Sequence, residues 1–187
     1  MNLSEWRNYG KLEYSLQLDD EQRGCGTSLR AGFGCLPGGV AGPCFAISGV
    51  NSGAWPAEFA VIAALPQAQR EPLVQQFYQN HFWNNWYAQL NSDDLCMRVF
   101  DFAVNGGSGS SVRCLQEAVN SLLAAGATQL KEDGGWGPMT LNAANAADPA
   151  ALVSAFQAKR VAYYQSIVAA NPNKAIYLSE WTNRALA

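Results

Sequence analysis

Apolar positions recur every three or four residues over most of this chain, with one interruption near the start. Leu3, Trp6, Tyr9 and Leu12 stand at helical spacing in LSEWRNYGKLE, with Ser4 placed to cap. The period then drops to two: Leu12, Tyr14, Leu16 and Leu18 alternate with Glu13, Ser15 and Gln17, which is strand periodicity. DDEQRGCG reads as a turn, and TSLRAGFGCL and PCFAISGV read as a second and a third strand joined by PGGVAG. From Trp55 the pattern is helical almost throughout. WPAEFAVIAAL has proline at an early helical position, and QREPLVQQFYQNHFWNNWYAQL reads as a long aromatic-rich helix. DDLCMRVFDFAV and SVRCLQEAVNSLLAAG flank the tract NGGSGSS, DGGWGP is a turn, and GPMTLNAANAA opens a short helix. DPAALVSAFQAKRVAYYQSIVAA is long and amphipathic, with Leu152, Val153, Phe156, Val161, Tyr164 and Ile167 on one side, and SEWTNRALA follows. The pattern predicts an α+β, mainly α, fold in a single domain over residues 1–187. A helix and a small N-terminal antiparallel β-sheet occupy 1–54, and a helical lobe occupies 55–187.

Composition narrows the functional classes. Of 187 residues, 49% are hydrophobic and 14% charged, enough apolar material for a real core. A net charge of −3 without a Lys/Arg cluster argues against nucleic acid as a partner. No run approaches the roughly 18–20 apolar residues of a membrane span, and MNLSEWRNYG has neither the basic nor the apolar region of a signal peptide. The single histidine, His81, sits in the aromatic run FYQNHFWNNWY and reads as structural. Zinc hydrolases generally use two or more histidines, so hydrolytic chemistry here falls to carboxylates, with no metal and no cofactor. The five cysteines, Cys25, Cys35, Cys44, Cys96 and Cys114, contain no C-x-x-C pair. Either they are buried thiols or they form disulfides in an oxidising compartment. The expectation is at least one disulfide, from within Cys25, Cys35 and Cys44 or as Cys96–Cys114.

The order of elements resembles the lysozyme-like architecture, and the second half carries a more specific likeness. FYQNHFW, VFDFAVNGG, CLQEAVN and EDGGWGPMTLNA resemble, in order and spacing, the family of phage and bacterial N-acetylmuramidases of glycoside hydrolase family 108, which carry a C-terminal predicted peptidoglycan-binding region. The matching positions are Tyr78 and Trp83; Phe100, Asp101, Val104, Asn105 and Gly107; Leu115 and Gln116; Asp133, Gly134, Gly137 and Thr140; and Trp181, Asn183 and Arg184. CFAISG, with Phe45, Ala46, Ile47 and Ser48, is similar to the family's Tyr-Gly-Ile-Thr element. The family's Glu-Gly-Gly-Tyr element is absent. Glu13-Tyr14, then Asp19 and Asp20, stand in that region, followed by a longer cysteine-bearing insertion.

Glycoside hydrolysis needs a protonated acid at the leaving oxygen and a second carboxylate as nucleophile, base or electrostatic stabiliser. Apolar surroundings raise the pKa of the acid. Glu13 lies where helix gives way to strand, between Leu12 and Tyr14, the place of the catalytic glutamate in lysozyme-like folds. We take it as the general acid, with Glu5 and Glu21 as alternatives. Asp20 is its partner, with Asp19 as the alternative.

The tract NGGSGSS after Asp101 admits two compatible readings. It is a turn capped by Asn-Gly, and in the resembling family the same break faces the substrate cleft. Asn105 then contacts sugar hydroxyl or N-acetyl groups. Asp101, inside an apolar helix, needs partners, and backbone, Arg98 or Arg113 are within sequence reach. Ser48 and Trp86 complete the candidate substrate-binding set, Trp86 by stacking on a sugar ring. The resemblance implies a muramidase cleaving the MurNAc-β-1,4-GlcNAc bond of peptidoglycan glycan strands. It would act as a monomer in the periplasm or cell wall after delivery by a secretion system or a holin. A cognate immunity protein or the secretion apparatus would be a further partner. The alternatives are a non-catalytic peptidoglycan-binding module and a chitinase- or chitosanase-like glycosidase.

Overall fold

The computed structural model describes residues 45–187. The N-terminal helix, the first two strands, Glu5, Glu13, Asp19, Asp20, Glu21 and the cysteines Cys25, Cys35 and Cys44 lie outside the described residues. The chain falls into two compact units, Met1–His81 and Phe82–Ala187. The described residues hold seven α-helices and one two-stranded antiparallel sheet, an α+β, mainly α, arrangement. No helix among them is long and apolar enough to cross a membrane.

In the first unit, Phe45–Asn51 does not run as the single strand that its alternation suggests. It folds back on itself. β1 (Ala46–Ile47) pairs with β2 (Val50–Asn51) in the register Ala46↔Asn51 and Ile47↔Val50. Ser48 and Gly49 make the turn with φ of 48° and 81°, the paired positive values of a two-residue hairpin turn. Tyr78 locks it: its hydroxyl donates to the Ser48 carbonyl at 2.8 Å, and a Cβ at Gly49 would collide with that hydroxyl.

Asn51 then folds an Asx turn, accepting from the Gly53 and Ala54 amides at 2.8 and 3.2 Å. It leads into α1 (Pro56–Ala63) and α2 (Glu71–His81). Phe77 packs edge-on against Trp55 at 5.1 Å, and His81 lies 4.4 Å from the same indole while its Nε2 meets Glu58 Oε1 at 3.2 Å. His81 is thus a packing residue.

The expected long aromatic helix over 69–90 is shorter. α2 ends at His81, and a 3-10 turn spans Tyr87–Gln89. The reason is local. Asn84 Oδ1 accepts from the Trp86 amide at 2.9 Å, an Asx turn that competes with helix continuation.

The second unit is a helical bundle. α3 (Asp93–Gly106) starts on Ser92, whose hydroxyl accepts from the Leu95 amide at 3.2 Å, with Asp93 and Asp94 in the first turn. α4 (Ser108–Leu122) follows after the single residue Gly107. α5 (Pro138–Ala146) is tied back by Asn145, which accepts from the Asn91 amide and donates to the Gln89 carbonyl, both at 2.8 Å. α6 (Pro149–Ala170) is capped by Asp148, and a 3-10 segment (Pro172–Tyr177) leads to α7 (Leu178–Leu186).

α4 supplies the centre of the core. Val112, Leu115, Ala118 and Val119 are buried, facing Val99 and Phe102 from α3 and Leu152, Phe156 and Tyr164 from α6. Burial of each large apolar side chain contributes about 1.5–3 kcal/mol. The buried stripe of α6 is Leu152, Phe156, Arg160 and Tyr164, strictly every fourth residue. Val153, Val161 and Ile167 flank it half-buried, and an arginine stands in the middle of it. Cys96 and Cys114 are free, buried thiols, so the proposed Cys96–Cys114 bridge is not formed. The core takes each as a small apolar side chain.

Candidate functional site

The polar centre of the bundle is Asp101. It sits on α3 beyond reach of the neighbours that its own sequence segment suggests. Arg98 pairs with Asp94 at 2.9 Å instead. The partners of Asp101 come from the far end of the unit. Arg160 Nη2 donates to Oδ2 at 2.7 Å, and Arg184 Nη2 donates to Oδ1 at 2.7 Å. Burial alone would raise the Asp101 carboxyl, but the Arg184 and then the Arg160 guanidinium outweigh it and hold it below the ordinary carboxylate value. Arg160 keeps 2% side-chain exposure. Its guanidinium lies 5.0 Å from the Phe102 ring centre, a cation–π contact that helps to offset its desolvation.

The network continues to the break. Arg160 Nε donates to Tyr164 Oη at 3.1 Å, and the Tyr164 hydroxyl donates to Asn105 Oδ1 at 2.8 Å. Trp181 covers Tyr164 at 5.3 Å between ring centres. The Asn105 oxygen therefore belongs to the bundle's internal network. Its amide nitrogen has no acceptor among the described residues.

The two glycines after Asn105 have separate causes. A Cβ at Gly106 would collide with the Phe102 ring. Gly107 adopts φ 88° and ψ 146°, a region that side-chain-bearing residues avoid.

A second knot joins α4 to the turn 130–140. Gln116, 2% exposed, donates from Nε2 to Asp133 Oδ1 and to the Gly135 carbonyl, each at 3.1 Å, and to Thr140 Oγ1 at 3.2 Å. Its Oε1 accepts from the Gly134 amide at 2.9 Å. One turn later, Asn120 holds the Leu130 amide and carbonyl and reaches Glu132 Oε1. The Gly135 amide, then Gln116, lower the Asp133 pKa. Leu115-Gln116 and the Asp133–Thr140 motif are thus one fitted unit.

Trp86 presents its ring parallel to Trp136 of this turn, at 6.4 Å between centres and 6° between planes. Beside them Tyr87 is fully buried, with Ser108 and the Trp136 indole as the polar neighbours of its hydroxyl.

Between α4 and α6 a groove of about 670 Å³ opens, lined by Gly109, Ser110, Arg113, Glu117, Lys159 and Tyr163 among others. Its rim includes the start of α4, so the glycine-serine tract faces open space there. Gly109 would carry a Cβ with no atom within 4 Å. Among the described residues no cluster of His, Cys, Asp and Glu is placed to hold a metal ion.

Of the sequence-derived site residues, Asn105 and Trp86 lie in the second unit, and Ser48 lies at the hairpin tip of the first. Glu13 and Asp20 lie outside the described residues. Sequence reasoning missed Arg160 and the charged pair Arg113 and Lys159. The four-residue spacing of Leu152, Phe156, Arg160 and Tyr164 was the available signal for the first. The second depends on the packing of α4 against α6 and has no sequence signature.

No curated protein matches the chain. Residues 110–186 match the family model described as a Predicted Peptidoglycan domain, a stretch that takes in Gln116, Asp133, Thr140, Arg160, Arg184 and the groove, and this supports a peptidoglycan-related protein.

Proposed function

We propose that this protein is a muramidase that holds peptidoglycan on its second unit and cleaves the MurNAc-β-1,4-GlcNAc bond with Glu13 as general acid and Asp20 as partner carboxylate. The observation that carries the reading is the match of residues 110–186 to a peptidoglycan-domain model. The same stretch holds the knot of Gln116 with the Asp133–Thr140 turn. The similarity of 77–187 to glycoside hydrolase family 108 supplies the chemistry. Two carboxylates of the second unit, Asp101 and Asp133, do not suit the role of the acid. Asp101 and Asp133 are both held below their ordinary pKa, the opposite of what a general acid needs at neutral pH. The reading takes the acid from the N-terminal segment, where Glu13 stands at the place of the catalytic glutamate in the resembling lysozyme-like folds and is preferred to Glu5 and Glu21. In this reading Asn105, Trp86 and Ser48 contact the glycan. The protein works in the periplasm or cell wall, reached through a secretion system or a holin.

The match of residues 110–186 to a peptidoglycan-domain model is equally consistent with a second reading, a peptidoglycan-binding module without hydrolysis. Reducing-end release from purified sacculi separates the two. The muramidase reading expects release by the wild type and loss of about 10²–10⁴ in rate for Glu13→Gln, with folding and wall binding retained. Glu5→Gln serves beside it. Wall binding without release of reducing ends would leave the binding module standing and end the muramidase assignment.

A further inference from the structure

The groove between α4 and α6 has a charge pattern that the glycan does not explain. Arg113 and Glu117 stand four residues apart on α4, the spacing at which side chains pair on a helix surface. They form no ion pair in the structure, and Lys159, half-buried on the facing α6, forms none either among the described residues. Two cations and one anion therefore line one groove without being spent on each other. The groove is net positive in a chain whose net charge is −3. No carboxylate among the described residues pairs with the Lys159 ammonium, so an anionic ligand would supply the counter-charge.

The neutral lining suits a peptide. Ser110 Oγ donates to Tyr163 Oη at 3.3 Å, and this hydroxyl pair faces the groove beside Gly109, where an added side chain would meet nothing. The Cα face of Gly109 is thus open to a ligand, while its carbonyl packs against Gly134. The volume, about 670 Å³, is that of sites holding small ligands of a few residues. Both walls are helices of the packed core, so the backbone positions that carry the charges are held at a fixed separation.

Sugar hydroxyls and N-acetyl groups of the glycan are neutral and do not need two cations. The peptide stem of peptidoglycan carries free carboxylates and, at its third residue, an amine. We propose that this groove receives that stem, with Arg113 and Lys159 taking carboxylates and Glu117 taking the amine. The inference rests on peptidoglycan being the partner and is independent of whether the chain cleaves it.

The test uses the full chain and calorimetric binding to three probes: free stem peptide, a disaccharide carrying the stem, and glycan strands stripped of peptide by an amidase. The stripped strands keep lactyl carboxylates, so they report on the other source of the same charge. The expected result is binding of both stem-bearing probes, weakened about tenfold or more by Arg113→Ala and by Lys159→Ala, in line with charged hydrogen bonds. Arg113→Lys should recover part of the loss, and raised salt should weaken the wild type. Glu117→Gln should weaken the stem with a third-residue amine and leave its N-acetylated form unchanged.

Equal affinity for stripped and intact strands would overturn the proposal, as would wild-type affinity in both alanine variants or failure of the wild type to bind either stem-bearing probe. Reducing-end release on sacculi is scored separately. Release without stem binding ends this proposal alone, and stem binding without release ends only the muramidase assignment.

Discussion

Arg184 Nη2 donates to Asp101 Oδ1 at 2.7 Å across 83 positions of sequence, and so ties α7 to α3. Arg160 reaches the other carboxylate oxygen at 2.7 Å. One carboxylate therefore orders three helices, and the bundle's closure depends on it. Of its two cations, Arg160 is the buried one, at 2% side-chain exposure against 34% for Arg184. Losing the carboxylate leaves that guanidinium without its charge partner, and breaking a buried pair from one side costs about 3–5 kcal/mol. Asp101→Asn should cost a large part of this, measured by urea unfolding, and Asp101→Ala more.

The pH dependence has a definite sign. The folded Asp101 pKa lies below its ordinary value of 3.8 because of Arg184 and Arg160. Its stabilisation is complete well above that value and drains away as pH falls through it towards the folded pKa. Wild type should therefore lose stability faster than Asp101→Asn between about pH 5 and the acid limit. Parallel curves for the two proteins would show that the carboxylate is not coupled to folding.

Gln116 predicts a local effect instead. Its side chain makes four hydrogen bonds to the Asp133–Thr140 segment. Gln116→Leu keeps the bulk and leaves the Gly134 amide without its acceptor, at a cost of about 1–3 kcal/mol for each group stranded from water. Hydrogen exchange should show the Gly134 amide losing protection while amides in the middle of α3 keep theirs. Unchanged protection at Gly134 would remove Gln116 from its role as the clasp of this turn.

The helices of the second half were legible because their signals are local: Ser92 before Asp93-Asp94, Pro138 after Gly137, and Asp148 before Pro149. The limits of local reading show at Asn84, where one side-chain bond to the Trp86 amide ends a pattern that looked helical through Leu90. They show again at Ser48-Gly49, where apolar alternation hid a turn. Asp101 could be recognised as needing partners, but not which ones. Arg98 and Arg113 were near in sequence, whereas Arg160 and Arg184 are near only once α6 and α7 have packed. The candidate site was visible in part for the same reason. Asn105 and Trp86 stood out by residue type, while the groove charges exist only as a juxtaposition of two helices.

The two thiols of the second unit give a chemical prediction. Burial pushes both Cys96 and Cys114 up to about 12, with Asp93 and Glu117 adding to it. The thiolate is the nucleophile, so a thiol at that value is nearly inert at pH 8. Neither should react with a chromogenic disulfide reagent in the native protein, and both should react on unfolding. Tryptic mapping separates them from Cys25, Cys35 and Cys44. Rapid native labelling of Cys114, which borders the groove, would mean that the α4–α6 face opens in solution.

The break between α3 and α4 permits a sharper experiment, because the two ends of the Asn105 amide can be tested apart. Its oxygen accepts from Tyr164 at 2.8 Å, and that bond belongs to the fold. In the proposed reading its amide nitrogen contacts glycan. Asn105→Ala should cost about 0.5–1.5 kcal/mol, the net worth of one such bond, and Tyr164→Phe should cost more, because it also removes the acceptor of Arg160 Nε. Because the two changes remove the same bond, the double variant should cost clearly less than their sum, a coupling measurable in a double-mutant cycle. Asn105→Asp keeps the acceptor for Tyr164 and removes the donor. If Asn105 contacts glycan, Asn105→Asp should weaken wall binding while holding most of the stability that Asn105→Ala loses. Gly107→Ala controls for the break itself. The space around it is open, so the change should cost only backbone strain, about 1–3 kcal/mol, and leave the Asn105–Tyr164 coupling in place. Full wall binding by Asn105→Asp would assign the residue to the fold alone and leave Trp86 and Ser48 as the proposed glycan contacts.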